Sequence, residues 1–218
     1  MKFHQLAPQA LRTALALAVL GTGTATAQAS DDGWLWWPED RGVFSYTYLQ
    51  GSAGLQSASD GGEQDVFEGR LSFGLGESFY VAGNFLRAED QVLADEHSTR
   101  YDALLGVHGS VSDQIDILFE VGYTNTTGED SGLDFESDGP VLGIGFRGVS
   151  PGRLFEAEAS YHHRWAETYS GGSNDNGNAS FDLLWRATNH LGVMVRGSWE
   201  TDAGETIGTY STGLRVWF

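Results

Sequence analysis

The chain has no cysteine, few cations and no long apolar run. Without cysteine no disulfide staples the fold, whichever compartment it works in. Lysine and arginine number 12 against 30 aspartates and glutamates, a formal net charge of −18, so nucleic-acid phosphates would be repelled. No stretch approaches the roughly 18 consecutive apolar residues of a spanning helix, and mean hydropathy is −0.27. A helical membrane protein is excluded. A membrane protein built of strands is not, because alternating strands are half polar and average to low hydropathy.

What is present begins with a leader. Lys2 and Arg12 give a positive start, Ala14-Leu-Ala-Leu-Ala-Val-Leu20 a short apolar stretch, and Ala25-Thr-Ala27 a small-x-small cleavage site. Residues 1–27 therefore read as a secretory signal peptide. Residues 28–42 follow as a Trp-rich N-terminal segment containing Trp34, Trp36 and Trp37, either an interfacial anchor or a periplasmic tail. The rest, 43–218, is enough for one β domain and short for two.

From Val43 the sequence alternates with a period of two, which places successive side chains on opposite faces of a strand. Phe67, Gly69, Leu71, Phe73 and Leu75 share one face against Glu68, Arg70 and Ser72. Ile115, Ile117, Phe119, Val121 and Tyr123 oppose Asp116, Leu118, Glu120 and Gly122. Tight turns are expected at Gly76–Ser78, Ser112–Gln114, Ser150–Gly152 and Thr188–His190. Longer loops are expected over 57–64, 89–98, 128–137, 170–178 and 202–206. The count is ten strands joined as hairpins, with eight as the alternative. The fold class is all-β, an antiparallel up-and-down transmembrane β-barrel. The first strand, expected over 43–56, is the least regular, because Phe44, Tyr46 and Tyr48 sit out of phase with Leu49, Ala53 and Leu55.

Alternation alone also fits a soluble barrel with its apolar face inward. Two features favour the membrane. Aromatics recur near segment ends on the apolar face (Phe79, Tyr101, Tyr123, Phe155, Trp165, Phe218), as girdles at two interfaces require. The polar face carries both signs of charge: Arg70, Arg147, Arg164, Arg186, Arg196 and Arg215 against Glu68, Asp102, Asp116, Glu120, Glu156, Glu158, Asp182 and Glu200. Paired charges suit a narrow lumen, where each alone would bear a desolvation cost.

The last strand places Tyr210, Thr212, Leu214, Val216 and Phe218 on one face and ends on an aromatic residue. That ending resembles the carboxy-terminal assembly signal of bacterial outer-membrane barrels. With the leader and the ten alternating segments, the chain resembles the small outer-membrane β-barrel proteins of Gram-negative bacteria, the OmpX/OmpA-like barrels. Ser45–Gly51 is similar to the first strand of small proteobacterial barrels of unassigned role. The resemblance implies outer-membrane localisation, contact with lipid and lipopolysaccharide, and insertion by the barrel-assembly machinery.

The sequence points to a structural or surface-interaction role for a monomer with a side-chain-filled lumen, without catalysis, cofactor or resident metal. The remaining acids, among them Asp60, Glu63, Glu89, Asp90, Asp95, Glu96, Glu129, Asp130, Asp134, Glu136, Asp138, Asp175, Asp202 and Glu205, are expected in outer loops. There they either keep the loops solvated or attract divalent cations. Asp134–Gly139 begins like an EF-hand loop, but Gly145 stands where the bidentate Glu is needed. Three alternatives stay open. His108-Gly-Ser110 resembles the His-x-Ser pair of lipid A deacylases, and Asp95-Glu-His97 the Asp-x-His half of omptin-type proteases. A narrow pore is the third.

Overall fold

The computed structural model describes residues 44–58, 62–90, 97–130, 132–168, 175–202 and 205–218; the expected leader and Trp-rich segment lie outside them. Eleven strands form one antiparallel sheet: β1 Tyr48–Ala58, β2 Glu63–Leu75, β3 Phe79–Asp90, β4 His97–Ser112, β5 Ile115–Asp130, β6 Leu133–Val149, β7 Phe155–Arg164, β8 Glu167–Thr168, β9 Asn176–Arg186, β10 Leu191–Asp202 and β11 Glu205–Trp217. Both β7 and β8 pair with β6, so they make one stave interrupted at Trp165 and Ala166. Each stave pairs with its sequence neighbour, and β1 pairs with β11, which closes a ten-stave barrel. Closure leaves every stave paired on both sides through the body of the wall.

The register fixes the tilt. A row of directly paired residues runs Leu75, Phe79, Val107, Phe119, Ile144, Tyr161, Ala179, Trp199, Gly208, Ser57, Glu63. It leaves β2 at Leu75 and returns to the same strand at Glu63, a stagger of 12 residues. Such a stagger across ten staves demands strongly tilted strands, roughly 35–45° from the barrel axis.

Alternation sorts the faces as the sequence predicts. The apolar set faces outward: Leu71, Phe119, Leu142 and Val195 are exposed, while Asp116, Glu156, Asp182 and Arg215 are buried inside. The expected girdle aromatics Phe79, Tyr101, Tyr123, Phe155, Trp165 and Phe218 all face out. Covering this band with lipid rather than water removes a large apolar surface from solvent, which is the main energetic reason for the arrangement.

One end of the barrel, the turn end, carries the tight connections 76–78, 113–114, 150–154 and 187–190, with Phe44–Thr47 and Phe218 beside them. Gly76, at φ 76°, supplies the left-handed residue that its three-residue turn needs. At the far end two expected loops are strands instead. The 128–137 segment continues β5 and β6 to a connection of only 131–132, and 202–206 shrinks to 203–204. Thr127 and Glu136 keep the alternation going past the apolar band, so the ladder does not stop where the hydrophobic pattern does. Of the acids expected in loops, Glu63, Glu89, Asp90, Glu129, Asp130, Asp134, Glu136, Asp138, Asp202 and Glu205 lie on strands. Asp60, Asp95 and Glu96 lie outside the described residues. The wall is uneven: β4, β5 and β6 have 16, 16 and 17 residues, against 10–13 in the other staves' main strands.

The first stave begins at Tyr48 rather than 43, and its irregular phase has a physical cause. Phe44, Tyr46 and Tyr48 point into the lumen, while Leu49 and Leu55 point to lipid. The period of two is unbroken from 44 to 57, but the first three members of its inward set are aromatic.

Candidate functional site

The lumen is the site the fold builds, and glycine shapes its middle tier. Tyr80, Gly106, Glu120, Gly143 and His162 lie directly opposite one another on five adjacent staves. A Cβ on Gly106 would overlap the Tyr80 ring, and one on Gly143 would come within 2.5 Å of the His162 ring. The two glycines therefore let both rings lie across the wall to reach Glu120. Tyr80 donates its hydroxyl to Glu120 Oε1 at 3.0 Å, His162 Nε2 stands 2.6 Å from Oε2, and Arg70 Nη2 donates to Oε1 at 2.5 Å. A carboxylate held by three donors is stable in its charged form inside a low-dielectric space.

Toward the turn end, Glu156 on β7 is shared by three arginines. Arg147 Nε donates to Oε1 at 2.7 Å, Arg215 Nη1 to the same oxygen at 2.7 Å, and Arg186 Nη2 to Oε2 at 2.7 Å. Arg147, Glu156 and Arg215 are each 1% exposed, so these three are shut off from solvent, while Arg186 is partly exposed. Three positive groups on one carboxylate need further compensation, and aromatic rings and neighbouring acids supply it. Arg147 lies over Phe44, Tyr46 and Tyr48, Arg215 over Tyr48 at 4.3 Å, and Arg186 over Trp217 at 4.8 Å. Glu158 and Asp182 add carboxylates 3.6 and 3.9 Å from Arg215.

Below this cluster an aromatic plug closes the turn end. Tyr46 stacks on His108 with centroids 3.8 Å apart and on Tyr80 at 5.0 Å, and its hydroxyl donates to Asp116 at 2.8 Å. Phe44, Ala82, Leu104, Leu118 and Val149 pack around it. Toward the far end the charges pair more simply: Arg164 with Asp102 at 2.9 Å, Arg196 with Asp182 at 2.6 Å, and Arg100 with Glu200 at 2.8 Å. Between these pairs lies a polar cavity of about 60 Å³, lined among others by Arg70, Asn84, Glu158, Ser160 and Arg164.

Every arginine and carboxylate expected on the polar face is in the lumen, and all but one carboxylate, Asp116, face an arginine. Arg100 joins them unexpectedly, because a loop expected through Ser98 hides its alternation with Tyr101. The terminal set divides as expected: Tyr210, Leu214 and Phe218 face lipid, the last at 49% exposure, while Trp217 is 4% exposed inside.

The enzyme-like spacings fare differently. Ser110 donates to Asp116 Oδ1 at 2.7 Å, and His108 Nδ1 stands 3.3 Å from Oδ2 of the same carboxylate. The acid sits between hydroxyl and imidazole, so the imidazole does not take the Ser110 proton, as a nucleophilic serine requires. His97 opens β4 opposite Glu89 and Glu129, and Asp95 lies outside the described residues. The EF-hand-like stretch Asp134–Gly139 is strand, and no group of three or more metal-ligating side chains occurs among the described residues.

No family model and no curated protein matches the chain. Among solved structures it is similar to the outer membrane protease OmpT from Escherichia coli, at 11% identity over 79% of this chain and 94% of that one, with a TM-score of 0.49. It is also similar to an outer membrane channel from Pseudomonas putida F1 (12%, 83% and 98%, 0.48) and to the KdgM porin (10%, 78% and 99%, 0.39). At these values the likeness reaches no side chain and no activity. The class follows from the chain's own geometry. A closed antiparallel barrel of ten staves, apolar outside and charge-paired inside, is an outer-membrane-type transmembrane β-barrel.

Proposed function

We propose that this protein is a monomeric outer-membrane barrel with a sealed lumen, serving a structural or surface-interaction role at the cell envelope. The observation that carries the reading is the unbroken filling of the turn-end half, from Glu156 with its three arginines to the aromatic plug. Ten staves widen a barrel only modestly beyond the eight that side chains fill. Here arginines, tyrosines and carboxylates occupy that extra space. The turn end would face the periplasm and the uneven β4–β6 wall the exterior, the disposition of short turns and longer connections in such barrels. The leader-like first 27 residues support export.

The outward face above the girdle supports a role in contacts with the surface. Asp65, Glu89, His97, Glu129 and Asp134 form one directly paired row. Carboxylates this close repel one another and the phosphates of lipopolysaccharide, so association with that leaflet is proposed to depend on divalent cations. Assembly is proposed to use the lipid-facing set Tyr210, Thr212, Leu214, Val216 and Phe218. Deleting Phe218 is expected to lower the yield of heat-modifiable barrel in the membrane fraction; an unchanged yield would remove that role. Planar-bilayer recording tests the sealed lumen. The purified protein is expected to leave the bilayer at its baseline current, and steady conducting steps would refute the reading.

A further inference from the structure

Residues 44–47 precede the first ladder but keep its period of two, so Phe44 and Tyr46 enter the turn end of the lumen. Single hydrogen bonds hold the segment. Ser72 donates its hydroxyl to the Tyr46 carbonyl at 2.7 Å, Arg147 Nη1 to the Ser45 carbonyl at 3.0 Å, and Gly74 N to Thr47 Oγ1 at 3.1 Å. Phe218 N donates to the Thr47 carbonyl at 3.2 Å, and the Tyr46 hydroxyl reaches Asp116. A residue inside β1 is instead tied into ladders on both sides, to β2 and β11. Elements held by few bonds beside a closed cooperative sheet open at lower free energy than the sheet itself.

The other end of the lumen is already suited to water. The cavity between the far-end pairs is lined by Arg164 and Arg70, and Arg164 Nη1 and Arg70 Nε are buried with no acceptor among the described residues. Buried guanidinium donors next to a polar cavity are satisfied by water. The space between that cavity and the turn end is spanned by the side chains of Arg147 and Arg215 and by the rings of Tyr46, Tyr48 and Tyr80, with no backbone crossing it among the described residues.

We propose that Phe44–Thr47 is a detachable plug and that its withdrawal turns the barrel into a narrow channel for small monovalent ions. The inference rests on the sealed-lumen reading. Withdrawal removes two of the three rings over Arg147 and the stack on His108. The lumen left behind is lined by both signs of charge in near balance, so the channel discriminates weakly between potassium and chloride.

The test records the full-length protein in planar bilayers under a potassium chloride gradient, beside a Phe44→Ala/Tyr46→Ala double variant and the milder Ser72→Ala. Ser72→Ala removes only the bond to the Tyr46 carbonyl. Heat-modifiable mobility establishes that each protein is folded. The expected result is silence for the wild type and discrete steps for the double variant. Ser72→Ala is expected to give rarer steps of similar size, and the reversal potential lies near zero. Silence from folded Ser72→Ala and double variant overturns the plug and leaves the sealed barrel standing. Should the double variant not fold, silence from Ser72→Ala alone has the same force. Steps in the wild type equal to those of the variants would overturn the sealed reading and the plug with it.

Discussion

In the turn-end half of the lumen one carboxylate, Glu156, serves Arg147, Arg186 and Arg215, and aromatic rings cover the surplus charge. In the far half Arg100 and Arg164 pair with Glu200 and Asp102, Arg196 pairs with Asp182 and stands 3.6 Å from Glu68, and a polar cavity lies among them. The residue types are similar; the solvent is not. Where water is excluded, each ion must be met by several protein groups, because nothing else can lower its self-energy. Where a polar cavity adjoins, water can supply part of that role. The side chains crowd most closely at the turn end, and that is also where the electrostatics are most demanding.

The largest expected effect is at Glu156. Glu156→Gln strips the anion from the buried guanidinium groups of Arg147 and Arg215 and from the partly exposed Arg186, and the loss should reach about 5 kcal/mol, the upper end for breaking a buried pair. Urea unfolding of the refolded barrel in detergent micelles measures it. Asp102→Asn frees one arginine, Arg164, beside the cavity and weakens the bond from Asn84, and is expected to cost about 3 kcal/mol in the same assay. Equal losses for the two variants would erase the distinction between a dry and a hydrated half. Next comes Gly106→Ala, whose methyl meets the Tyr80 ring. Overpacking of this kind costs about 1–3 kcal/mol, and it should also free the tyrosine from Glu120, visible as a change in near-ultraviolet absorbance. The smallest effect is at the partly exposed pair beside the cavity: Glu200→Gln is expected to cost only ~1 kcal/mol, since water entering the cavity can solvate the freed Arg100.

Most of the wall is legible in the amino-acid sequence. Strands such as Phe67–Leu75 and Ile115–Tyr123 declare their faces by strict alternation, and a slip of one residue would put Glu120 into lipid and Phe119 into the lumen. Phe44, Tyr46 and Tyr48 are harder. Hydrophobic periodicity sends aromatics to the apolar face, yet these three lie inside because arginines use their rings and Asp116 uses a phenol. The length of the β5–β6 hairpin is hidden for a related reason, since above the membrane both faces of a strand are polar and alternation carries no contrast. Glu156 is visible as an inward acid. Its sharing with Arg215, 59 residues away in sequence, depends on how the barrel closes, and no local pattern encodes that. Gly106 and Gly143 read as ordinary small residues of the polar face; only their register with Glu120 gives them the role of making room for Tyr80 and His162.

Odd-numbered residues of β10 meet lipid and even-numbered ones the lumen. The absence of native cysteine makes the measurement direct: place single cysteines along Leu191–Trp199, attach a nitroxide label to each, and compare accessibility to oxygen and to a water-soluble nickel chelate in lipid vesicles. Labels at Val193 and Val195 are expected to be open to oxygen and closed to the chelate, with Met194 and Arg196 shielded from lipid-dissolved oxygen. Chelate access at Val193 and Val195, the signature of a water-facing exterior, would contradict that placement.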